Sequence, residues 1–415
     1  MSLQQEENTE KYLNLGHTQA ENHARTQQKL YEEYVAQTSS VTRRIEEFFK
    51  TNIIGFGWHY MRSRFGKRHP YQYYPSQGDS GIYKFHPTKT DGQVTLALLS
   101  DWANDTKEAD EVAHRVAWEA PDYTIHLGDI YFVGSPQEVE ENFTAPHASW
   151  YYGKSGSLAL PGNHEMYSNG DAFFNHLLPA MYATSDGFKV SQKAGFFCLE
   201  NEYWRVIGLD TAYTSVGRPF LEVLFPPDGH LRKEQVEWLQ HVVNVGDHKD
   251  RRGLIFLSHH PILSGYRNQY LRPAQQIAEL LSTAKRPVIW FWGHEHRLIG
   301  YQFQEVIDGL HVYGRCIGIG GMPVELDLPK HEKDRKGLLF YDRRVRKTIG
   351  RHRVGYNGFA TLAFENARVT ATYKDSNGEI ILEESWQVDL NKGSLTWQLN
   401  RYNSEMEPHI HPASP

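Results

Sequence analysis

Five short motifs carry the side chains that could do chemistry. They are Ser-Asp-Trp at Asp101, Gly-Asp at Asp129, Gly-Asn-His-Glu at Asn163, His-His-Pro at His259, and Gly-His-Glu-His at His294 and His296. Carboxylate and amide oxygens beside imidazole nitrogens suit Mn, Fe or Zn, and no cysteine stands among them to build a structural zinc site. A carboxylate shared by two cations would hold them about 3.5–4 Å apart, the separation used in two-metal phosphoryl transfer. Singly, each motif is weak, since Gly-Asp after a strand is a common turn and the chain holds 22 histidines. The ordered set decides. Asp101, Asp129, Asn163, His259 and His294 follow one another at intervals of 28, 34, 96 and 35 residues, each just after an apolar run. That pattern points to a binuclear metal-dependent phosphoesterase.

The apolar runs are the elements that must position these groups. Stretches at 94–99, 123–127, 157–160, 204–209, 254–257, 287–292 and 312–319 read as strands. They alternate with helical patterns at 109–119, 136–143, 172–182, 233–245 and 274–284, which argues for an α/β fold built on sheets. Ser135-Pro136-Gln137-Glu138 announces the second of these helices with a capping signature and proline at its first position. Ligands of such sheets gather beyond the carboxyl ends of strands, so residues far apart in sequence can meet at one site.

The chain divides into an accessory segment at 1–90, a catalytic core at 91–328, a basic loop at 329–354 and C-terminal strands at 355–415 that would complete a second sheet. Apolar residues at helical spacing predict an amphipathic helix over 20–50, followed to Lys67 by mixed aromatic and basic residues. The stretch from Lys330 to Arg353 has ten Lys or Arg against three acidic residues, a solvated loop or a cationic rim facing a phosphorylated substrate. Phe359–Phe364, Arg368–Tyr373 and Ile380–Gln387 are the strand candidates beyond it.

Composition narrows the class. With 415 residues, 40% of them hydrophobic, the chain can fill a real core, and a formal charge of −6 argues against a general or sequence-specific nucleic-acid binder. No apolar run reaches the length of a transmembrane segment, so the expected setting is cytoplasmic; oligomeric state is left open. Cys198 and Cys316 are the only cysteines and read as buried small hydrophobes. The chain has no nucleophile elbow, Walker loop or zincin motif, so a covalent nucleophile is not required.

With all five blocks present over roughly residues 93–325, the chain resembles the calcineurin-like metallophosphoesterase superfamily. The resemblance implies a four-layer α/β/β/α sandwich of two mixed sheets flanked by helices. It implies Asp101 and His296 on one metal, Asp129 bridging, and Asn163, His259 and His294 on the other. His164 would contact the phosphoryl group or protonate the leaving oxygen. The family pattern of His, any residue, Pro selects His259 as ligand and leaves His260 behind it.

Two departures stand out. Most members place a histidine two residues after the first aspartate, where this chain has Ala103. Asp101-Trp102 instead looks like purple acid phosphatases, whose first metal is ferric and takes a tyrosine three residues after the Gly-Asp aspartate; here Tyr131 stands at two and Phe132 at three. Ligation by Tyr131 would favour a hard trivalent ion, so the expected cofactors are two divalent or mixed-valence ions of Fe, Mn or Zn.

The implied reaction is hydrolysis of small phosphate monoesters by in-line attack of a metal-bridging hydroxide. A phosphodiesterase acting on nucleotides or lipid head groups is the alternative, and a non-catalytic scaffold is a third class. Further candidates near the site are Asp210-Thr211, which could hold the His164 ring, the trio Tyr266, Arg267 and Asn268, and the turn glycines Gly318, Gly320 and Gly321.

Overall fold

The runs preceding the motifs become strands buried on both faces, which is why they read as continuous hydrophobic stretches. Along Val94–Leu99, Leu96 and Leu98 point into one cluster of buried residues while Ala97 and Leu99 point into another. The computed structural model describes residues 67–74, 78–85, 92–104, 106–216, 228–266, 269–349 and 352–406. The helix expected over 20–50 lies outside these residues, as do Arg267 and Asn268.

Two nine-stranded sheets form among the described residues. The first runs Ser394–Tyr402, Ile380–Asp389, Arg368–Asp375, Gly358–Glu365, Val94–Leu99, Tyr123–His126, Gly156–Ala159, Tyr182–Ser185 and Phe188–Ser191. The second runs Ile82–Lys84, Phe197–Glu200, Trp204–Leu209, Gly253–Ser258, Val288–Trp292, Leu310–Ile317, Leu298–Tyr301 and Leu338–Tyr341, with Gln304–Ile307 beside Leu310–Ile317. Each sheet is parallel where the motifs attach and antiparallel on either side of that centre, while the edge strand Ile82–Lys84 pairs parallel with Phe197–Glu200.

The sheets pack face to face through Leu98, Ile125 and Leu158 from the first and Val206, Leu257 and Phe291 from the second. Helices Lys233–His241 and Leu271–Leu281 cover the outer face of the second sheet with Trp238, Leu239, Ile277 and Leu281. Helix Lys107–Glu119 covers the first with Ala109, Val112, Ala113 and Val116, spaced as one apolar stripe. Its start is fixed by Thr106, whose hydroxyl accepts the Ala109 N–H, and it ends at Ala120 in a left-handed conformation before Pro121. The result is the four-layer α/β sandwich.

Several elements differ from the sequence expectation for local reasons. The helix starting at Pro136 forms its capping box, but after Val139 it widens into a π turn, with Asn142 Nδ2 donating to the Glu138 carbonyl. The helix expected over 172–182 shrinks to irregular turns at Phe173–Ala180, because Pro179 has no N–H to continue it. Tyr182–Ser185 and Phe188–Ser191 form a hairpin around Asp186-Gly187, both at positive φ, a turn signal present in the sequence.

The C-terminal strands extend the sheet that holds Val94–Leu99, Leu362 pairing with Leu96 so that Ala360, Leu362 and Phe364 face the core. Residues 329–354 hold, in place of a loop, the helix Glu332–Lys336, the strand Leu338–Tyr341 and a hairpin of Lys347–Ile349 with His352–Val354. Part of their charge is spent internally. Arg344 binds Asp342, Asp375 and Glu379, while Arg346 and Lys347 bind Glu108 and Glu111 on helix Lys107–Glu119. Cys198 and Cys316 are buried free thiols.

One ion pair ties the two sheets together. Arg315 of the second sheet and Glu384 of the first are both fully buried and bonded through two contacts of 2.6 Å, with Tyr373 and Trp397 also donating to the carboxylate. Removing one partner strands a charge in the core. Glu384→Ala is expected to cost about 3–5 kcal/mol in denaturant unfolding, while joint replacement of both by apolar residues recovers most of it. A loss below about 1 kcal/mol for the single variant would rule this out.

Candidate metal centre

The five motifs meet where the parallel strands of both sheets end. Asp101 follows Val94–Leu99, Asp129 follows Tyr123–His126, Asn163 opens a helical turn after Gly156–Ala159, His259 follows Gly253–Ser258, and His294 follows Val288–Trp292. Asp101, Asp129 and His294 all sit in left-handed backbone, at φ 57°, 67° and 64°. Such conformations cost of order 1–3 kcal/mol each and persist only where surrounding contacts impose them. Here the motifs brace one another. The Asp101 N–H donates to the Gly128 carbonyl at 3.1 Å, Gly293 N–H to the His259 carbonyl at 3.1 Å, and His294 N–H to Asp101 Oδ2 at 2.9 Å. Gly293 is required at its position, since a Cβ there would run into Ser100 Oγ and Asp101 Oδ2.

Two groups of donor atoms result, and they share one oxygen. In the first, the Tyr131 hydroxyl lies 2.8 Å from Asp101 Oδ1, 3.2 Å from Asp129 Oδ2 and 3.0 Å from His296 Nε2. In the second, His259 Nε2 lies 3.2 Å from Asp129 Oδ2, from Asn163 Oδ1 and from His294 Nδ1. Tyr131 therefore reaches the cluster from the second position after Asp129. Phe132, at the third, contributes its carbonyl instead, 2.6 Å from His164 Nδ1.

The donor set fits cations. His259 Nδ1 donates to the Leu127 carbonyl at 3.0 Å, so the neutral ring turns a lone pair toward the oxygens of Asp129 and Asn163. Around Tyr131, one hydroxyl hydrogen faces two carboxylate oxygens, with His296 Nε2 also within hydrogen-bond distance of the oxygen. Asp101 is fully buried and Asp129 is 2% exposed, so the negative charge is poorly screened by water.

Electrostatics say the same. Burial opposes ionisation of Asp129, yet the charges of His259 and His164 outweigh it and hold the carboxyl well below its usual range. Burial likewise opposes charge on His259, but Asp129 and Asp101 push that imidazole up to about 9. Burial and the two carboxylates drive the Tyr131 phenol well above its ordinary value, so only a nearby cation would make it a phenolate. Burial, then the His259 charge, holds His260 well below its usual value.

His164 sits at the edge of the cluster, its Nε2 3.8 Å from Asp129 Oδ2 and its side chain 21% exposed. Asp210 does not hold its ring; Asp210 Oδ1 instead accepts the N–H groups of Ala212 and Tyr213, and burial pushes this carboxyl up to about 7. Thr211 bonds His260. Tyr266 packs beneath the Arg297 guanidinium. Gly320 N–H donates to the Ser100 carbonyl at 3.0 Å, bringing the glycine turn against the Asp101 loop.

Three supporting residues escaped the sequence reading. Ser100 donates to Asp101 Oδ2 at 2.7 Å. Glu165 accepts the N–H groups of Gly162 at 2.9 Å and Asp129 at 3.2 Å; burial, then the Asp129 charge, push it up to about 8. Cys316 Sγ lies 3.3 and 3.5 Å from the carbonyls of Glu295 and Arg297, in the turn carrying His294 and His296. Ser100 and Glu165 lay inside recognised motifs; nothing local marked Cys316.

Residues 94–298 match the family model for calcineurin-like phosphoesterase. Among solved structures the chain is similar to GAP50, the anchor in the inner membrane complex of Plasmodium, at 15% identity over 73% of this chain and 91% of that one, with a TM-score of 0.48. It is similar to the purple acid phosphatase PPD1 from yellow lupin (Lupinus luteus) seeds at 15% identity over 73% of this chain and 55% of that one, with a TM-score of 0.49. PhoD gives 13% identity over 75% of this chain and 72% of that one, with a TM-score of 0.48. No curated protein matches.

The raised His259 value gives a pH signature for chelator-treated protein. A folded value of about 9 against an ordinary 6.5 means that its charge stabilises the fold fully below pH 6.5, and that this contribution is lost as pH rises through 9. Denaturant midpoints should fall across that window and flatten in Asp129→Asn. A midpoint independent of pH there would contradict the pairing.

Proposed function

We propose, for a chain that carries a calcineurin-like phosphoesterase domain over residues 94–298, a binuclear metal-dependent hydrolase of phosphate monoesters. The observation that carries this reading is the shared oxygen: Asp129 Oδ2 lies 3.2 Å from Tyr131 Oη in one donor group and 3.2 Å from His259 Nε2 in the other. Asp101, Tyr131 and His296 would hold a first ion with Asp129, and Asn163, His259 and His294 a second. The first position offers mostly hard oxygens, suited to ferric iron or manganese; the second adds imidazoles, suited to zinc, manganese or iron. When bound, such ions supply an activated water nucleophile and neutralise phosphate oxygens.

The chain's own residues do the rest. Asp129 fixes the separation of the two positions. His164 donates its Nδ1–H to the Phe132 carbonyl, which fixes the ring between Tyr131 and Tyr167 and leaves Nε2 to carry a proton to the leaving oxygen. The intact donor set speaks against a scaffold that has shed its metals. The resemblance of Asp101-Trp102 and Tyr131 to the purple acid phosphatase pattern supports monoesters over diesters. Among the described residues no helix is long and apolar enough to cross a membrane. Two buried thiols without a disulfide suit a reducing, cytoplasmic setting.

The test compares aryl monoester and diester hydrolysis by protein loaded with Fe, Mn or Zn. Monoester turnover should dominate and vanish in Asp129→Asn; diester preference would promote the phosphodiesterase, and no turnover on either would sink the reading. His164→Gln should slow alkyl phosphates by about 10²–10⁴-fold and aryl phosphates far less, because a good leaving group departs without a proton. Tyr131→Phe should abolish the visible phenolate-to-metal absorption of iron-loaded protein; an unchanged spectrum would remove Tyr131 from the ligands.

A further inference from the structure

The second histidine of His-His-Pro has no role in the site described so far, yet it is built like a ligand. The His260 side chain is fully buried. Its Nδ1 lies 2.9 Å from Thr211 Oγ1, which also accepts the His260 backbone N–H at 3.3 Å, and its carbonyl accepts from Ser258 Oγ at 3.0 Å. The ring packs between Tyr270 and His294, with centroids 4.4 and 4.9 Å away. Among the described residues its Nε2 has no hydrogen-bond partner. Burying a polar atom unpartnered is costly, and simple packing would be served better by phenylalanine in the same slot.

His259 follows the same plan, with Nδ1 anchored on a protein oxygen and Nε2 left for the cluster. One nitrogen from each of His259, His260 and His294 falls within 4.8 Å of the others. We infer that His260 is a further nitrogen donor of the second cation position, an inference that rests on the binuclear reading. Three imidazoles would then make this position nitrogen-rich against an oxygen-rich first one. Imidazole suits zinc where carboxylate suits manganese, so His260 biases the second position toward zinc.

The experiment titrates zinc and manganese into the full chain under chelator competition for wild type, His260→Phe and His260→Gln. Phe keeps a ring between Tyr270 and His294 without the nitrogen, and Gln restores a polar atom near it. Phe should weaken the second zinc equivalent by at least roughly ten- to a hundred-fold while leaving the first in place. Manganese should be affected less, and Gln should recover part of the loss. In ¹⁵N-histidine NMR, the His260 ring-nitrogen signal, assigned by its absence in the Gln variant, should shift when the second zinc equivalent is added. Unchanged zinc affinity in Phe, or a His260 signal that does not move, would overturn the assignment while leaving the binuclear reading intact. A wild type that binds fewer than two equivalents would overturn both.

Discussion

Everything in this fold serves one unfavourable convergence: two carboxylates, an amide oxygen, a phenol and three imidazoles brought together with almost no water to screen them. Asp101 and Asp129 are buried, and their nearest neighbours are themselves acceptors or reluctant donors. In low dielectric this arrangement is stable only with positive charge at its centre. The raised His259 and the depressed Asp129 report that demand in protonic form. Cations would answer it more completely, and the same field would orient a phosphate.

Holding such a cluster together requires a stiff frame. Two sheets supply it, because parallel strands from both end at one edge and their loops bond to each other rather than to solvent. The bonds from Asp101 to Gly128, from His294 to Asp101, from Gly293 to His259 and from His259 to Leu127 close a ring of loops whose strained residues cannot relax independently. Behind it, the paired Arg315 and Glu384 join the sheets at a fully buried point, so the relative placement of their edges is set by geometry as well as by apolar packing.

Much of this was legible in the sequence. The motif-bearing strands were visible as apolar runs because both faces are buried, and the motifs fell at their ends. What was not legible depended on partners remote in the chain. Tyr131 is one residue off the purple acid phosphatase spacing, and only the folded loop shows its hydroxyl among Asp101, Asp129 and His296. The basic stretch looked like a free rim because Glu108, Glu111, Asp375 and Glu379, which neutralise part of it, lie far away in sequence. The helix expected over 172–182 failed on a proline that was in plain view, and the hairpin after it was announced by Asp186-Gly187.

The sequence by itself determined which donor types exist, their order, and the α/β layering, since side-chain chemistry and burial periodicity are local properties. Tertiary structure decided which donors share an oxygen, which histidine nitrogen faces inward, which sheet the C-terminal strands join, and which charges remain unpaired. Those are distances between residues up to nearly two hundred positions apart. They follow from how strand ends and loops pack, which no local pattern encodes.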